Sequence, residues 1–135
     1  SKSEESDYSR INLKDSADEI SKKIKKAKTD SLPIPESEKE LEKRLEALNL
    51  LNIYSEITNK SLKEVLREMS GKEFSYFKNK LSEVLIETVS PIGKKIKELM
   101  SDKMYLEKIL AKGKEKASKK AEENLKKIRE IVGLL

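Results

Sequence analysis

A lysine between two serines, Ser1-Lys2-Ser3, opens the chain. Such a tripeptide can bind phosphate, because the ammonium offers three donors and the hydroxyls add neutral ones. Taken alone, it reads equally as a frayed terminus. A second candidate is the run Lys22, Lys23, Lys25, Lys26 and Lys28. Five cations so close repel one another unless counter-charges or a polyanion stand near. Each phosphate they meet releases condensed counterions, which favours nucleic-acid binding. The same run also reads as a solvated helix face, and the residues alone leave both readings open. A third basic stretch is a C-terminal rod bearing Lys112, Lys114, Lys116, Lys119, Lys120, Lys126, Lys127 and Arg129 against Glu115, Glu122 and Glu123. Its charges read first as a solvated helix, with RNA or partner docking as the functional alternative. Among the aromatics, Tyr54, Phe74 and Phe77 sit at core spacing, and Tyr76 falls off that stripe, where a ring is free to stack on a base.

Much chemistry is excluded by composition. There is no His and no Cys among the 135 residues, which removes thiolate metal sites, disulfides and His-based nucleophile pairs. Many carboxylates are present, yet no acid–base pair stands out. No apolar run approaches the roughly 18 residues of a membrane span, and the polar N-terminus is unlike a signal peptide. A cytoplasmic protein without membrane partners is expected. The chain starts without Met, a hint that it is not a complete gene product. A formal net charge of +5 is compatible with nucleic acid as partner but does not single it out.

The elements that must carry these residues are helices. Charged residues make up 41% and hydrophobic ones 36%, which favours slender helices with wide solvated faces. Only four Gly and three Pro occur, too few to punctuate an all-β chain. Residues 1–14 show no helical period. Ser16 and Glu19 are spaced as a capping box, and Ala17, Ile20, Ile24 and Ala27 follow, predicting a helix over 16–28 with the lysines on its other face. The stretch TDSLPIP is an extended connection. A long helix is predicted over 37–58, with stripes Leu41/Leu45/Leu48 and Leu50/Tyr54/Ile57, and its LNLLNIY segment reads as core. Ser61 and Glu64 repeat the capping box before Val65, Leu66 and Met69, and Gly71 suits a left-handed helix end. Phe74, Phe77, Leu81, Val84, Leu85 and Thr88 share the next face. Pro91 predicts a kink or a fresh helix start. Ser101-Asp102 can cap a further helix with Tyr105, Leu106, Ile109 and Leu110 inward, and Gly113 either closes it or merely weakens a continuous one. A last helix over 114–132 carries the stripe Ala117, Ala121, Leu125, Ile128 and Val132, which must pack on something. The chain is all-α, without a repeat of fixed period.

The order of segments extends the argument. The SKS ending, the A-x-T-D at Ala27–Asp30, the NLLNIY segment, the G-K-x-[FY]-x-x-FK stretch from Gly71 to Lys78 and the E-T-x-x-P-I from Glu87 to Ile92 occur together. In this order they resemble the C-terminal portion of bacterial tryptophanyl-tRNA synthetases, from Ser1 to Leu135. The resemblance implies a helical bundle of about five to seven helices of the anticodon-binding type, ending in a long helix. It divides the chain into a KMSKS-loop remnant and link at 1–14, the helical domain at 15–111 and a C-terminal helix at 112–135. It implies a parent that activates tryptophan with ATP and Mg2+ and then charges tRNA-Trp. Lys2, with Ser1 and Ser3 beside it, would meet the ATP phosphates in that parent. The tRNA candidates are Lys22, Lys23, Lys25, Lys26 and Lys28, with Thr29 and Asp30 of the A-x-T-D match. Two departures accompany the match. Glu4, Glu5 and Ser6 stand where the family usually has an Asp-Pro-type sequence, and the HIGH-type signature is absent because there is no His. The resemblance therefore implies a piece cut at the ATP-site loop, catalytically inactive and without a cofactor of its own. Its missing catalytic domain would be its partner within the parent. The parent is expected to be a homodimer mainly through that domain, which leaves this piece free to be a monomer. A helical interaction scaffold with no RNA role is the alternative.

Overall fold

The fold is seen in a computed structural model that describes residues 5–134. Five α-helices and two 3-10 turns form its regular structure, and no strand occurs among the described residues. The chain divides into two compact units, Ser1–Lys95 and Ile96–Leu135.

In the first unit, a 3-10 turn at Asp7–Ser9 precedes α1, Ala17–Lys26. The capping box that opens α1 is formed: the Ser16 hydroxyl accepts from the Glu19 amide, and a Glu19 carboxylate oxygen accepts from the Ser16 amide at 2.7 Å. Helix α3, Leu62–Met69, opens with the same device at Ser61 and Glu64. It closes at Ser70, after which Gly71 takes φ +72°, the left-handed end its position predicts. The extended stretch after α1 is held by backbone: Ile34 N–H donates to Lys72 C=O, and Gly71 N–H donates to Ile34 C=O.

The predicted helix over 37–58 is instead a 3-10 turn, Glu38–Leu41, followed by α2, Leu45–Thr58. Arg44 breaks it. Its backbone leaves the helical region, and its guanidinium turns back to Asp30 and to the carbonyls of Leu32 and Pro33. Leu45, expected on an inward stripe, is exposed at the start of α2. Helix α4, Phe74–Ser101, runs through Pro91 and does not restart there. Pro91 forfeits one backbone donor and its ring crowds the Glu87 carbonyl, but Val89 and Gly93 on either side of it are buried and hold the helix in place.

The core lies between these elements. Ile20 and Ile24 of α1, Ile34, Leu41, then Leu50, Leu51 and Tyr54 of α2 meet Val65, Leu66 and Met69 of α3. Phe74, Phe77, Leu81, Leu85 and Val89 of α4 complete it, so Val89 rather than Thr88 carries the stripe onward. Tyr54 and Phe77 rings lie 5.5 Å apart, and Phe74 meets Phe77 edge-on at 6.1 Å. Each such side chain gains roughly 1.5–3 kcal/mol on burial.

The second unit contains α5, Lys103–Ile131, one helix that passes through Gly113. Asp102 caps it by accepting from the Tyr105 amide at 2.9 Å. No residue of α5 is buried. Tyr105, Ile109 and Leu110, expected inward, are exposed, and only Leu106 is partly covered. An amphipathic pattern states which residues prefer burial but cannot supply the surface that buries them.

A candidate nucleic-acid interface on the first unit

The candidate residues divide when placed on the fold. Lys22, Lys25, Lys26 and Lys28 are exposed, as a helix face opposite Ile20 and Ile24 must be. Lys23 is not: its side chain is 7% exposed and lies 2.7 Å from Asp15 and 2.6 Å from Asp7. Burial pulls its pKa down, but the two carboxylates more than offset this and hold it above the ordinary lysine value. Asp15 is pushed up by burial and pulled further down by Lys23 and Asn12, ending below the usual carboxylate range. Lys23 is thus a neutralised structural cation within the lysine run. The carboxylate partners lie eight and sixteen residues upstream, so helical spacing alone could not single it out.

At the end of α1, Thr29 is half-buried and Asp30 forms a two-pronged pair with Arg44, Oδ2 to Nε at 2.7 Å and Oδ1 to Nη2 at 2.6 Å. That hydrogen bond holds the Asp30 carboxyl below its ordinary range. The pair fixes the carboxylate by a residue fourteen positions away.

Lys25, Thr29 and Asp30 share an open groove of about 500 Å³ with Glu73, Phe74, Ser75, Lys78 and Asn79 from the start of α4. Two cations, an amide, two hydroxyls and two carboxylates line it. Lys78 is one of the lining residues and donates to the Ala27 carbonyl at 2.7 Å; burial lowers its pKa. The groove therefore mixes charge for phosphate with paired donors and acceptors able to read a base edge. Nothing in the spacing of α4 marks Lys78, Ser75 or Asn79 as neighbours of Thr29. The nearest signal in the sequence is the Gly71–Lys78 stretch, which carries information only through the family resemblance. Tyr76, expected to be exposed, is exposed and sits beneath Lys72 at 5.7 Å. Ser1, Lys2 and Ser3 lie outside the described residues. Among the described residues no cluster of His, Cys, Asp or Glu could hold a metal ion. Among the described residues no helix is long and apolar enough to cross a membrane.

Comparison with known proteins agrees with the segment order. The family model of tRNA synthetases class I (W and Y) matches residues 1–90. The tryptophan–tRNA ligase of Caulobacter vibrioides is 46% identical over 133 residues, 98% of this chain and 39% of that relative. Those of Rhizobium meliloti and Rickettsia felis are 45% and 47% identical over all 135 residues, 38% and 40% of their own lengths. The chain spans about two fifths of the length of these curated relatives. With identity at this level along its whole length, the chain belongs to the class I tRNA synthetases of the tryptophan and tyrosine type, and the relatives it matches are tryptophan–tRNA ligases.

Proposed function

We propose that this chain is the tRNA-engaging helical region of a tryptophan–tRNA ligase. The observation that carries the reading is the groove between the end of α1 and the start of α4, flanked by the exposed lysines of α1. Lys22, Lys25, Lys26 and Lys28 supply phosphate contacts, while Thr29, Asp30 and Asn79 offer hydrogen bonds to a base edge. Lys23 supports the fold rather than the RNA.

In this reading the whole cytoplasmic enzyme activates tryptophan with ATP and Mg2+ and charges tRNA-Trp, with Lys2 at the ATP phosphates. ATP and Mg2+ belong to that enzyme as substrate and ion. The 135 residues alone are catalytically inert and bring no cofactor.

Titration with a tRNA-Trp transcript tests the proposal. Expected is salt-dependent binding that weakens with Lys25→Ala or Lys22→Ala, with the salt slope falling by about one for each phosphate contact removed. Equal affinity for an anticodon-swapped tRNA would remove base reading and leave charge alone. Tryptophan-dependent ATP–pyrophosphate exchange by this chain would overturn its inertness.

A helical interaction module is favoured by one observation: α5 exposes Leu110, Leu125, Ile128 and Ile131. Sedimentation decides it. A monomer without RNA affinity would favour neither reading; self-association without RNA affinity would favour the scaffold.

A further inference from the structure

The segment Asp7–Asp15 is fastened to α1 on two sides. On the buried side, Lys23 Nζ bridges Asp7 Oδ2 and Asp15 Oδ2 at 2.6 and 2.7 Å. Asn12 ties the same carboxylates together: its Nδ2 donates to Asp7 Oδ1 at 2.9 Å and to Asp15 Oδ1 at 3.3 Å, and its backbone N–H donates to Asp15 Oδ2 at 2.9 Å. On the exposed side, the Lys26 ammonium lies 4.0 Å from the centre of the Tyr8 ring. Tyr8 follows Asp7 directly, so the clasp decides where the ring stands. Among the described residues no buried side-chain nitrogen or oxygen is left without a partner.

We propose that Asp7 and Lys23 are positioning residues of the RNA surface: by holding Tyr8 beneath Lys26 they pre-order that cation for phosphate. This rests on the tRNA reading above. A free lysine side chain loses rotamer entropy when it docks on phosphate. A ring platform removes part of that loss before RNA arrives. Asp7 is an anion beside a surface for polyanions, so charge alone says that removing it tightens RNA binding. Positioning says that removing it weakens binding.

The experiment compares the 135-residue chain with Asp7→Ala, Tyr8→Leu, Lys25→Ala and the Asp7→Ala/Tyr8→Leu double variant, each titrated with a tRNA-Trp transcript. Asp7→Ala leaves the Asp15–Lys23 pair in place, and Tyr8 is half-exposed, so Tyr8→Leu disturbs no core. Expected is a loss of about two- to fivefold for Asp7→Ala and for Tyr8→Leu, the range of an exposed cation–π contact. The double variant should be no weaker than either single one, because both act through Lys26. The ring-current shift that Tyr8 gives the end of the Lys26 side chain should be lost in Tyr8→Leu and reduced in Asp7→Ala. Unchanged or tighter binding by Asp7→Ala, or additive losses in the double variant, would overturn the positioning role while a weakened Lys25→Ala left the tRNA reading standing. No binding by the unsubstituted chain would overturn both.

Discussion

Lys78, on α4, donates its ammonium to the carbonyl of Ala27, the residue that ends α1, across 51 positions of sequence. The bond satisfies a carbonyl that the helix itself leaves open and places a cation at the negative end of the α1 dipole. Lys78 lines the same groove as Lys25, Thr29 and Asp30.

Lys78→Met should therefore separate stability from binding. A lost charge-assisted hydrogen bond costs about 1.5–3 kcal/mol, but relief of the buried ammonium offsets part of it. Urea unfolding is expected to move by less than about 2 kcal/mol, while tRNA affinity falls. The pH sign follows from the lowered pKa: the unfolded state holds the proton longer, so stability rises as pH climbs from the lowered value toward 10.5. Lys78→Met should remove that rise.

The Lys23 clasp predicts a different pattern. Lys23→Met leaves Asp15 buried without its cation, at a cost above the roughly 1 kcal/mol of an exposed pair and below the roughly 3–5 kcal/mol of a fully buried one. The intermediate position follows from Asp7, which keeps about half of its surface in water. The Asp15 pKa is lowered, so its contribution is present above the ordinary carboxylate value and is lost as pH falls through the lowered one. The Lys23 pKa is raised, so its contribution is present below 10.5 and is lost as pH rises through the higher value. Denaturant midpoints measured against pH should show both limbs, and Asp15→Asn should flatten the acid one.

The two capping boxes offer an internal comparison. Ser16→Ala and Ser61→Ala each leave first-turn amides without a side-chain acceptor. Each should cost about 1 kcal/mol by chemical denaturation. Helix α1 carries the lysine run, so Ser16→Ala should also weaken tRNA binding, and Ser61→Ala should not.

Three glycines should respond in three ways. A Cβ on Gly93 would stand 2.6 Å from the Leu13 carbonyl oxygen, where the segment before α1 crosses α4, so Gly93→Ala should destabilise by about 1–3 kcal/mol. Gly71→Ala meets no atom but must hold φ +72°, costing about 1–2 kcal/mol. Gly113 sits inside α5 with open space around it, and Gly113→Ala should add helix stability of about 1 kcal/mol. Thermal unfolding followed by circular dichroism reads all three.

The local rules were legible in the residues themselves. Both capping boxes, the left-handed Gly71, the Asp102 cap, the Val65/Leu66/Met69 face and the LNLLNIY core segment depend on neighbours within one or two helical turns. Sequence spacing records such neighbours directly. The break at Arg44 was not legible, because the acceptors that draw its guanidinium out lie eleven to fourteen residues away. The passage of α4 through Pro91 is a balance between a lost hydrogen bond with ring crowding and the packing of a long helix, and only the packing could decide it.

By itself, then, the sequence determined an all-α chain, the faces of its helices and, through ordered segments, its family. Only the tertiary structure decided which cations are free. Five lysines of one run look alike at helical spacing, yet Lys23 is spent on Asp7 and Asp15 while Lys25 lines a groove together with Lys78 of another helix. The reason is physical: amphipathic spacing depends on backbone geometry alone, whereas the state of a charge depends on what long-range folding brings within a few ångströms of it.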